Sequence, residues 1–168
     1  MKKLLLGVFL LVSALSFSAG RKVPAGKIVM DQNTGIAYVQ GEKTPFTGTV
    51  EVKFDNGKVQ GLLEVKNGLL DGKGVTYYPS GKVQSKENYK NGYEEGINTT
   101  YYENGNIEYE KYVSNNGRLV YEKHFYPNGQ IDFEATYKDG QLDGIVKKYG
   151  SNGQVAQQGI FKDGEQVQ

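Results

Sequence analysis

Residues 81–105, GKVQSKENYKNGYEEGINTTYYENG, contain three glycine positions that recur along the whole chain. Glycines of the first series lie 24 residues apart, at Gly57, Gly81, Gly105, Gly129 and Gly153. A second series, each after Asn or Asp, is Gly68, Gly92, Gly117, Gly140 and Gly164, and a third is Gly48, Gly72, Gly96 and Gly144. Asn-Gly and Asp-Gly are typical of tight β-hairpin turns. The stretch therefore predicts a β-hairpin unit that is repeated in tandem.

A two-residue turn at Asn56-Gly57 sets a cross-strand register that the sequence can test. It pairs Phe54 with Val59, and one repeat further it pairs Tyr78 with Val83. The later equivalents are Tyr102 with Ile107 and Tyr126 with Ile131, and the same rule places Gly72 opposite Tyr89 and Gly144 opposite Phe161. Aromatic residues opposite β-branched residues or glycine stabilise a sheet. We therefore expect this face to be the packed one.

The other face presents an aromatic residue at the same position of four successive repeats, Tyr77, Tyr101, Phe125 and Tyr149. Their expected cross-strand partners are Gln84, Glu108, Asp132 and Ala156. Because repeats are two strands apart, the rings should form a row with a spacing of roughly 9–10 Å. Two interpretations stay open. The row either packs along the sheet or forms a binding surface for a ligand or partner.

Two interruptions and the N-terminal segment set the domain boundaries. The glycine spacing changes by one residue on each side of Gly117, which predicts a longer turn or bulge at residues 114–119. Gly150 replaces an aromatic residue near the end, as in a terminal repeat. We assign residues 1–19 to a signal peptide, 20–47 to a leader (flexible at 21–26) with a half-repeat cap, and 48–168 to tandem repeats. The chain is therefore expected to be all-β, an elongated antiparallel meander of about eleven strands forming an open, curved or twisted sheet.

The N-terminus has the three parts of a secretory signal. Lys2 and Lys3 precede an apolar run from Leu4 to Leu15, and the stretch 16–20 that follows contains the small residues Ser16, Ser18, Ala19 and Gly20. The run is too short to span a membrane, so no transmembrane segment is expected after cleavage. These features predict export to the periplasm, the cell surface or the medium.

Composition limits the partners and the chemistry. Without Lys2 and Lys3, 18 basic residues oppose 19 acidic ones, a balance that does not favour nucleic acid. The chain has no Cys and one histidine, His124, which is expected to be structural and to face Phe133. Asp71, Glu95 and Asp143 each precede a glycine and are interpreted as solvated turn residues. The sequence predicts no catalytic residue, no metal site and no cofactor.

Several segments resemble the MORN repeat, and its bacterial variant form most closely. They are Tyr89 to Gly96 (YKNGYEEG), Tyr101 to Gly105 (YYENG), Tyr137 to Gly144 (YKDGQLDG) and Pro45 to Gly48 (PFTG). The absence of Trp agrees with the variant form. The resemblance implies an elongated sheet of stacked hairpins with a scaffold or interaction role. Some bacterial members are labelled antitoxins, a cytosolic role that conflicts with the predicted export.

Three functions follow as hypotheses. The first is a non-enzymatic extracytoplasmic scaffold that binds a protein partner or an envelope polymer through Tyr77, Tyr101, Phe125 and Tyr149. The second is an antitoxin or immunity protein that neutralises a toxin. The third is a cell-wall or host-surface binding module similar to choline-binding repeats, which the absence of Trp disfavours. The oligomeric state stays open.

Overall fold

The closely spaced Asn-Gly and Asp-Gly turns leave room only for strands, and strands are what the chain forms. The computed structural model describes residues 20–168, so the predicted signal peptide lies outside the described residues. The strands are β1 (Lys22–Pro24), β2 (Ile28–Met30), β3 (Ala37–Val39), β4 (Gly48–Lys53), β5 (Val59–Lys66), β6 (Leu69–Tyr77), β7 (Val83–Lys90), β8 (Tyr93–Glu94), β9 (Gly96–Tyr101), β10 (Ile107–Ser114), β11 (Arg118–Phe125), β12 (Ile131–Lys138), β13 (Gln141–Leu142), β14 (Gly144–Tyr149), β15 (Val155–Lys162) and β16 (Glu165–Gln166). Short 3₁₀ turns lie at Ala25–Lys27 and Asn115–Gly117.

Fourteen of these strands form one open sheet. Twelve of the fourteen follow one another in the order β1-β4-β5-β6-β7-β9-β10-β11-β12-β14-β15-β16. The short strands β8 and β13 pair with β7 and β12, and β2 and β3 form a separate two-stranded sheet. All pairs in the repeats are antiparallel, and β1 alone joins the described sheet in parallel, against β4. The predicted all-β antiparallel meander is confirmed.

The number of strands is higher than the expected eleven. The additional five are β1 and β2 in the N-terminal segment and the two-residue strands β8, β13 and β16. Strands β8 and β13 are separate because a glycine with positive φ follows them, Gly96 (φ 91°) and Gly144 (φ 115°). At each break one backbone bond continues the ladder, from Glu95 N–H to Asn88 O and from Asp143 N–H to Thr136 O.

The predicted register is correct inside the strands. Gly72 faces Tyr89, Gly144 faces Phe161, and His124 faces Phe133. Beside the turns of the first glycine series the predicted register is wrong by one residue. There the pairs are Lys53 with Val59, Tyr77 with Val83, Tyr101 with Ile107, Phe125 with Ile131 and Tyr149 with Val155.

The shift arises because the first glycine series does not form two-residue turns. In the turn of Gly81 (φ 89°), the Tyr78 N–H donates to Lys82 O and the Gly81 N–H donates to Tyr78 O. The residue before each glycine of this series keeps a negative φ, whereas a type I′ turn needs positive φ at both positions. Both positions are positive in the second series, at Asn67, Asn91, Asp139 and Asp163 with their following glycines.

The irregular turn predicted at residues 114–119 is present. A 3₁₀ turn spans Asn115–Gly117, and the register shifts between Tyr112 and Val113, so that Tyr112 faces Tyr121 while Val113 faces Leu119. Val120 is therefore the extra residue of a bulge, at the position where other repeats have a glycine.

The N-terminal segment differs from the expected flexible leader at residues 21–26. Lys22–Pro24 is a strand of the main sheet, and Val23 is buried. Val23 packs in a core cluster with Val39, Phe46, Val50 and Val65. A buried side chain and a strand partner give these residues a fixed place that the sequence pattern did not reveal. Among residues 20–168 there is no helix that could cross a membrane.

Candidate binding face of the sheet

The four predicted aromatic residues, Tyr77, Tyr101, Phe125 and Tyr149, lie on one face of the sheet, which we call the ladder face. Strand alternation and the observed registers place them there together. Each ring is half-buried. Their cross-strand partners are the β-branched residues Val83, Ile107, Ile131 and Val155, instead of the expected Gln84, Glu108, Asp132 and Ala156. Polar and cationic groups border the row, since Lys86 Nζ lies 5.3 Å from the Tyr101 ring and the Tyr149 hydroxyl donates to Glu134 (2.6 Å).

A second set of aromatic residues, one position later, links neighbouring repeats. The hydroxyl of Tyr78 donates to the carbonyl of Tyr101 (2.7 Å), and Tyr102 donates in the same way to Phe125 (2.7 Å). Tyr126 donates to Tyr149 (2.8 Å). These bonds hold the backbone of each ladder residue against the preceding repeat. Sequence reasoning assigned these tyrosines to cross-strand packing, and the 24-residue recurrence of adjacent aromatic residues was the signal for this link.

A row of alternating charges runs beside the aromatic row on the ladder face. Its charged members are Lys86, Glu110, Lys123, Glu134 and Lys147. They lie two residues from the aromatic position on β11 and β14, and three residues from its β-branched partner on β7, β10 and β12, where the register shift adds one residue. Glu110 faces Lys123, Lys123 faces Glu134, and Glu134 faces Lys147. The row neutralises itself, because opposite charges alternate on adjacent strands.

An exposed apolar row lies on the other side of the charged row. Its residues lie two positions from the charged row on each strand, in the direction away from the aromatic row. Ile97 faces Tyr112, Tyr112 faces Tyr121, and Ile145 faces Ile160. The exposed fractions are 50% for Ile97, 37% for Tyr112, 52% for Ile145 and 39% for Ile160, and the Tyr112 and Tyr121 rings stack at 5.9 Å. Sequence reasoning missed this row. Its signal was the 24-residue spacing of Ile97, Tyr121 and Ile145.

Comparison with known proteins assigns the repeats to a family. The sequence matches the MORN repeat variant over four consecutive units, residues 70–91, 94–115, 118–139 and 142–163, which together cover just over half of the chain. The chain belongs to the MORN repeat variant family. Such repeats indicate a scaffold or binding module. No curated protein matches the chain.

Two solved structures show weak similarity to this MORN repeat chain. One is S. aureus TarM in complex with fondaparinux, alpha-GlcNAc-glycerol and UDP, at 8% identity over 70% of this chain and 21% of that chain, with a TM-score of 0.37. The other is the GtfA/B complex bound to UDP and GlcNAc, at 12% identity over 75% of this chain and 25% of that chain, with a TM-score of 0.28. This chain therefore corresponds to a quarter or less of either one, and at these TM-scores neither bears on its function.

The opposite face of the MORN sheet carries a hydrogen-bonded cluster around Glu122, whose side chain is 17% exposed. Its carboxylate accepts bonds from Tyr109 (2.9 Å) and Tyr137 (2.6 Å), and His124 Nε2 lies 3.5 Å away. The His124 ring contacts Tyr109 and Phe133 edge to face, at 4.8 and 5.5 Å between centroids. The Glu122 carboxylate and the His124 ring thus contact residues of this cluster, and the structural role of His124 stays a prediction.

The electrostatics of the cluster follow from these bonds. Burial by itself would raise the pKa of Glu122, but the hydroxyls of Tyr137 and Tyr109 and the neighbouring His124 outweigh it and lower that pKa. Burial and the bond to Glu122 raise the pKa of Tyr137 to about 12, and the same causes raise the pKa of Tyr109. The carboxylate is thus stabilised in its charged form, which is the form that accepts both hydrogen bonds.

The acidic residues at the turn edge of the MORN units are largely paired with lysines. Asp71 binds Lys90 (3.1 Å) and Asp143 binds Lys162 (2.7 Å), whereas Glu95 contributes its backbone N–H to the ladder. Within residues 20–168, no three His, Asp or Glu side chains are grouped as metal ligands would be. The pairs with lysine support the interpretation of these acids as turn residues.

Proposed function

We propose that the protein is a non-enzymatic binding scaffold that acts outside the cytoplasm and docks a protein partner along the ladder face. The observation that carries the proposal is the exposed apolar row, with Ile97, Ile145 and Ile160 at 39–52% exposure on one face. Large apolar side chains aligned on a surface are typical of interaction sites. The half-buried rings of Tyr77, Tyr101, Phe125 and Tyr149 border the same surface and extend its contact area.

The charged row favours a protein over a charged polymer. A polyanion, such as nucleic acid or an anionic envelope polymer, would meet Glu110 and Glu134 as well as the lysines, and the repulsion would cancel the attraction. A polypeptide can present both signs of charge, so it can pair with an alternating row. The partner chemistry is therefore a protein surface with apolar side chains beside mixed charges.

The direction of the rows suggests how the partner lies. The rows run across the strands, the aromatic row from Tyr77 on β6, the charged row from Lys86 on β7 and the apolar row from Ile97 on β9, and equivalent positions recur every second strand, at roughly 9–10 Å. Between β9 and β15 a partner laid along this direction would meet all three rows together, with Thr136 of β12 as the polar member of the apolar row. Such repetition increases the contact area without a deep pocket, as in other solenoid and repeat proteins.

The proposed location rests on the N-terminal sequence, whose basic start, apolar run and small residues resemble a secretory signal. Cell fractionation combined with protease treatment of intact cells tests it. Recovery of the protein from the cytoplasm with residues 1–19 still attached would contradict export.

Site-specific photo-crosslinking in living cells tests the docking surface. A photo-reactive amino acid at position 97, 145 or 160 should give one adduct that contains the same partner protein in each case. The matched control is position 103, an exposed turn residue outside the three rows. Substitution of Tyr112 and Tyr101 by Ser should reduce the adduct several-fold.

The proposal would be contradicted if position 103 gave the same adduct as position 145. The proposal would also be contradicted if no position on the ladder face gave an adduct. Identification of a toxin in the adduct would turn the assignment to the antitoxin alternative. Turnover of any substrate that a single substitution abolishes would contradict the non-enzymatic role.

A further inference from the structure

A cavity of about 500 Å³ opens on the face opposite the ladder face, between β12, β14, β15 and β16. Its lining includes Phe133, Phe161, Gly159, Lys148, Gln157 and Gln166. The volume lies in the range of small-molecule sites. The cavity is separate from the apolar row and from the Glu122 cluster.

Gly159 lies beneath two of the side chains that line the cavity, Phe161 and Gln166. It lies in the middle of β15 without a positive φ, so the backbone does not require glycine there. The corresponding residues 24, 48, 72 and 96 positions earlier all carry side chains, namely Ala135, Lys111, Glu87 and Leu63. A Cβ at position 159 would lie 3.1 Å from both Gln166 Nε2 and Phe161 Cε2. Glycine inside a strand weakens it and often marks the close approach of a ligand.

The last repeat also lacks the two hydrogen-bonding side chains that occupy the equivalent space in the preceding repeat. Where that repeat has Glu122 and Tyr137, joined by a hydrogen bond, the last repeat has Val146 and Phe161. The Tyr–Glu network is therefore missing at this end of the described sheet, and a space lined by two phenylalanines stands in its place. The last repeat thus differs from the preceding one at three positions around this space, 146, 159 and 161.

The polar side chains around this space are available to a ligand. Among the described residues, Lys148 and the Gln157 amide make no side-chain hydrogen bond or ion pair, and Gln166 donates only a long bond of 3.3 Å to Gln168 O. Lys148 is the single charged residue of the lining, so the site favours a negative charge. Each Gln amide both donates and accepts, so the pair suits several hydroxyl groups.

We propose that this cavity binds one acidic sugar residue. The apolar C–H face of a pyranose ring would pack on Phe133 or Phe161, its hydroxyls would bond to Gln157 and Gln166, and its carboxylate would bind Lys148. Gly159 lets the Phe161 ring and the Gln166 amide lie close to β15, and the sugar ring would pack above them. The site is independent of the docking surface, because the side chains that would bind the sugar, Lys148, Gln157 and Phe161, lie on the opposite face of the sheet.

Titration of the ¹⁵N-labelled protein with D-glucuronic acid, followed by amide NMR spectra, tests the site. Saturable shifts are expected at Lys148, Gln157, Gly159, Phe161 and Gln166. Gly159→Ala should abolish the binding, because its Cβ would displace the Gln166 amide and the Phe161 ring, the two side chains on which the ligand would lie. The control Gly61→Ala, a strand glycine whose Cβ would lie 3.5 Å from its nearest neighbour, should bind as the unaltered protein does.

Two comparisons test the chemistry of the ligand. Lys148→Gln, or replacement of glucuronic acid by D-glucose, should each weaken binding by about tenfold or more, because the charge-assisted bond is lost. Equal binding of glucose would overturn the role of Lys148, and tighter binding of phenylacetate would overturn the assignment to a sugar. The absence of saturable shifts, or shifts that persist in Gly159→Ala, would overturn the site itself. None of these outcomes affects crosslinking at position 145.

Discussion

At the scale of single residues, the tyrosine hydroxyls have the most specific roles. Those of Tyr78, Tyr102 and Tyr126 bind the backbone of the next repeat, at 2.7–2.8 Å, and those of Tyr109 and Tyr137 hold the Glu122 carboxylate. A half-buried hydroxyl that lacked these partners would lose water without compensation. The tyrosines therefore connect repeats as well as filling the sheet surface.

The Glu122 cluster predicts a pH-dependent contribution to stability. The folded-state pKa of Glu122 is below its ordinary value of 4.5, so its contribution is complete above about pH 5 and is lost as the pH falls through the folded pKa. Near pH 7, Glu122→Gln should lower the free energy of unfolding by about 1 kcal/mol, since one charge-assisted acceptor is replaced by a neutral one. Urea unfolding at several pH values measures the difference.

The difference between the two proteins should narrow as the pH falls through the lowered folded-state pKa of Glu122, because the carboxylate of the unaltered protein then becomes protonated as well. Glu103→Gln, in an exposed turn, serves as the matched control and should change little at any pH. A difference that stays constant between neutral and acidic pH would contradict the role of the Glu122 charge.

At the scale of elements, the repeat uses two different turns. The second glycine series forms tight turns with positive φ at two adjacent residues, as at Asn91 (φ 48°) and Gly92 (φ 86°). The first series forms a longer turn in which the Asn side chain accepts a backbone N–H, as Asn56 does from Lys58 (3.0 Å). Both turns contain Asn-Gly, so the dipeptide predicts the reversal of the chain but not the turn type.

Two strand glycines should respond very differently to substitution by alanine in their free energy of unfolding. Gly144 belongs to the third glycine series, and Gly61 belongs to none of the three series. Gly144 has φ 115°, and its Cβ would collide with the Thr136 hydroxyl. Gly144→Ala should therefore lower the free energy of unfolding by about 1–3 kcal/mol or more, from backbone strain and the collision. Gly61→Ala has neither problem and should change stability by less than about 0.5 kcal/mol. Urea unfolding of both variants measures this, and equal effects would contradict the role of the positive φ.

At the scale of the whole molecule, the sheet is a linear array in which each repeat pairs with its neighbours. A core cluster of buried side chains lies at the N-terminal end, where β1 and β3 contribute Val23 and Val39 and the repeats contribute Val50 and Val65. Stability in such an array depends on local terms and on contacts between neighbours. We therefore propose that the N-terminal segment is a cap on the first repeat.

This arrangement predicts that damage to the cap stays local. Phe46, which is 4% exposed, lies in the cap core, and Phe46→Ala should cost about 3–5 kcal/mol. Hydrogen exchange should become faster in β4, β5 and β6, while β14 and β15 keep their rates. Val29→Ala, at a half-exposed position of the same segment, is the control and should leave the exchange rates unchanged. Equal acceleration along the entire sheet would contradict the linear model of stability.

Most of the fold was determined by the sequence itself. The glycine spacing specified the hairpin repeat, the antiparallel meander and the interior register, because tight turns and strand alternation are local properties. The aromatic residues of the ladder could be assigned to one face for the same reason. The extra residue near Gly117 could be recognised as a bulge, since a one-residue slip would reverse the faces of every later strand.

Only the tertiary structure decided the features that depend on contacts distant in sequence. The burial of Val23 and the parallel pairing of β1 with β4 join segments that no local pattern connects. The one-residue shift beside the first turns depends on backbone bonds such as Tyr78 N–H to Lys82 O, which composition does not reveal. The exposure of Ile97 and Ile145, and the cavity between Phe133 and Phe161, likewise depend on which side chains surround them. A repeat in sequence determines which residues are equivalent, whereas packing determines which of these equivalent positions are covered and which stay open to a partner or a ligand.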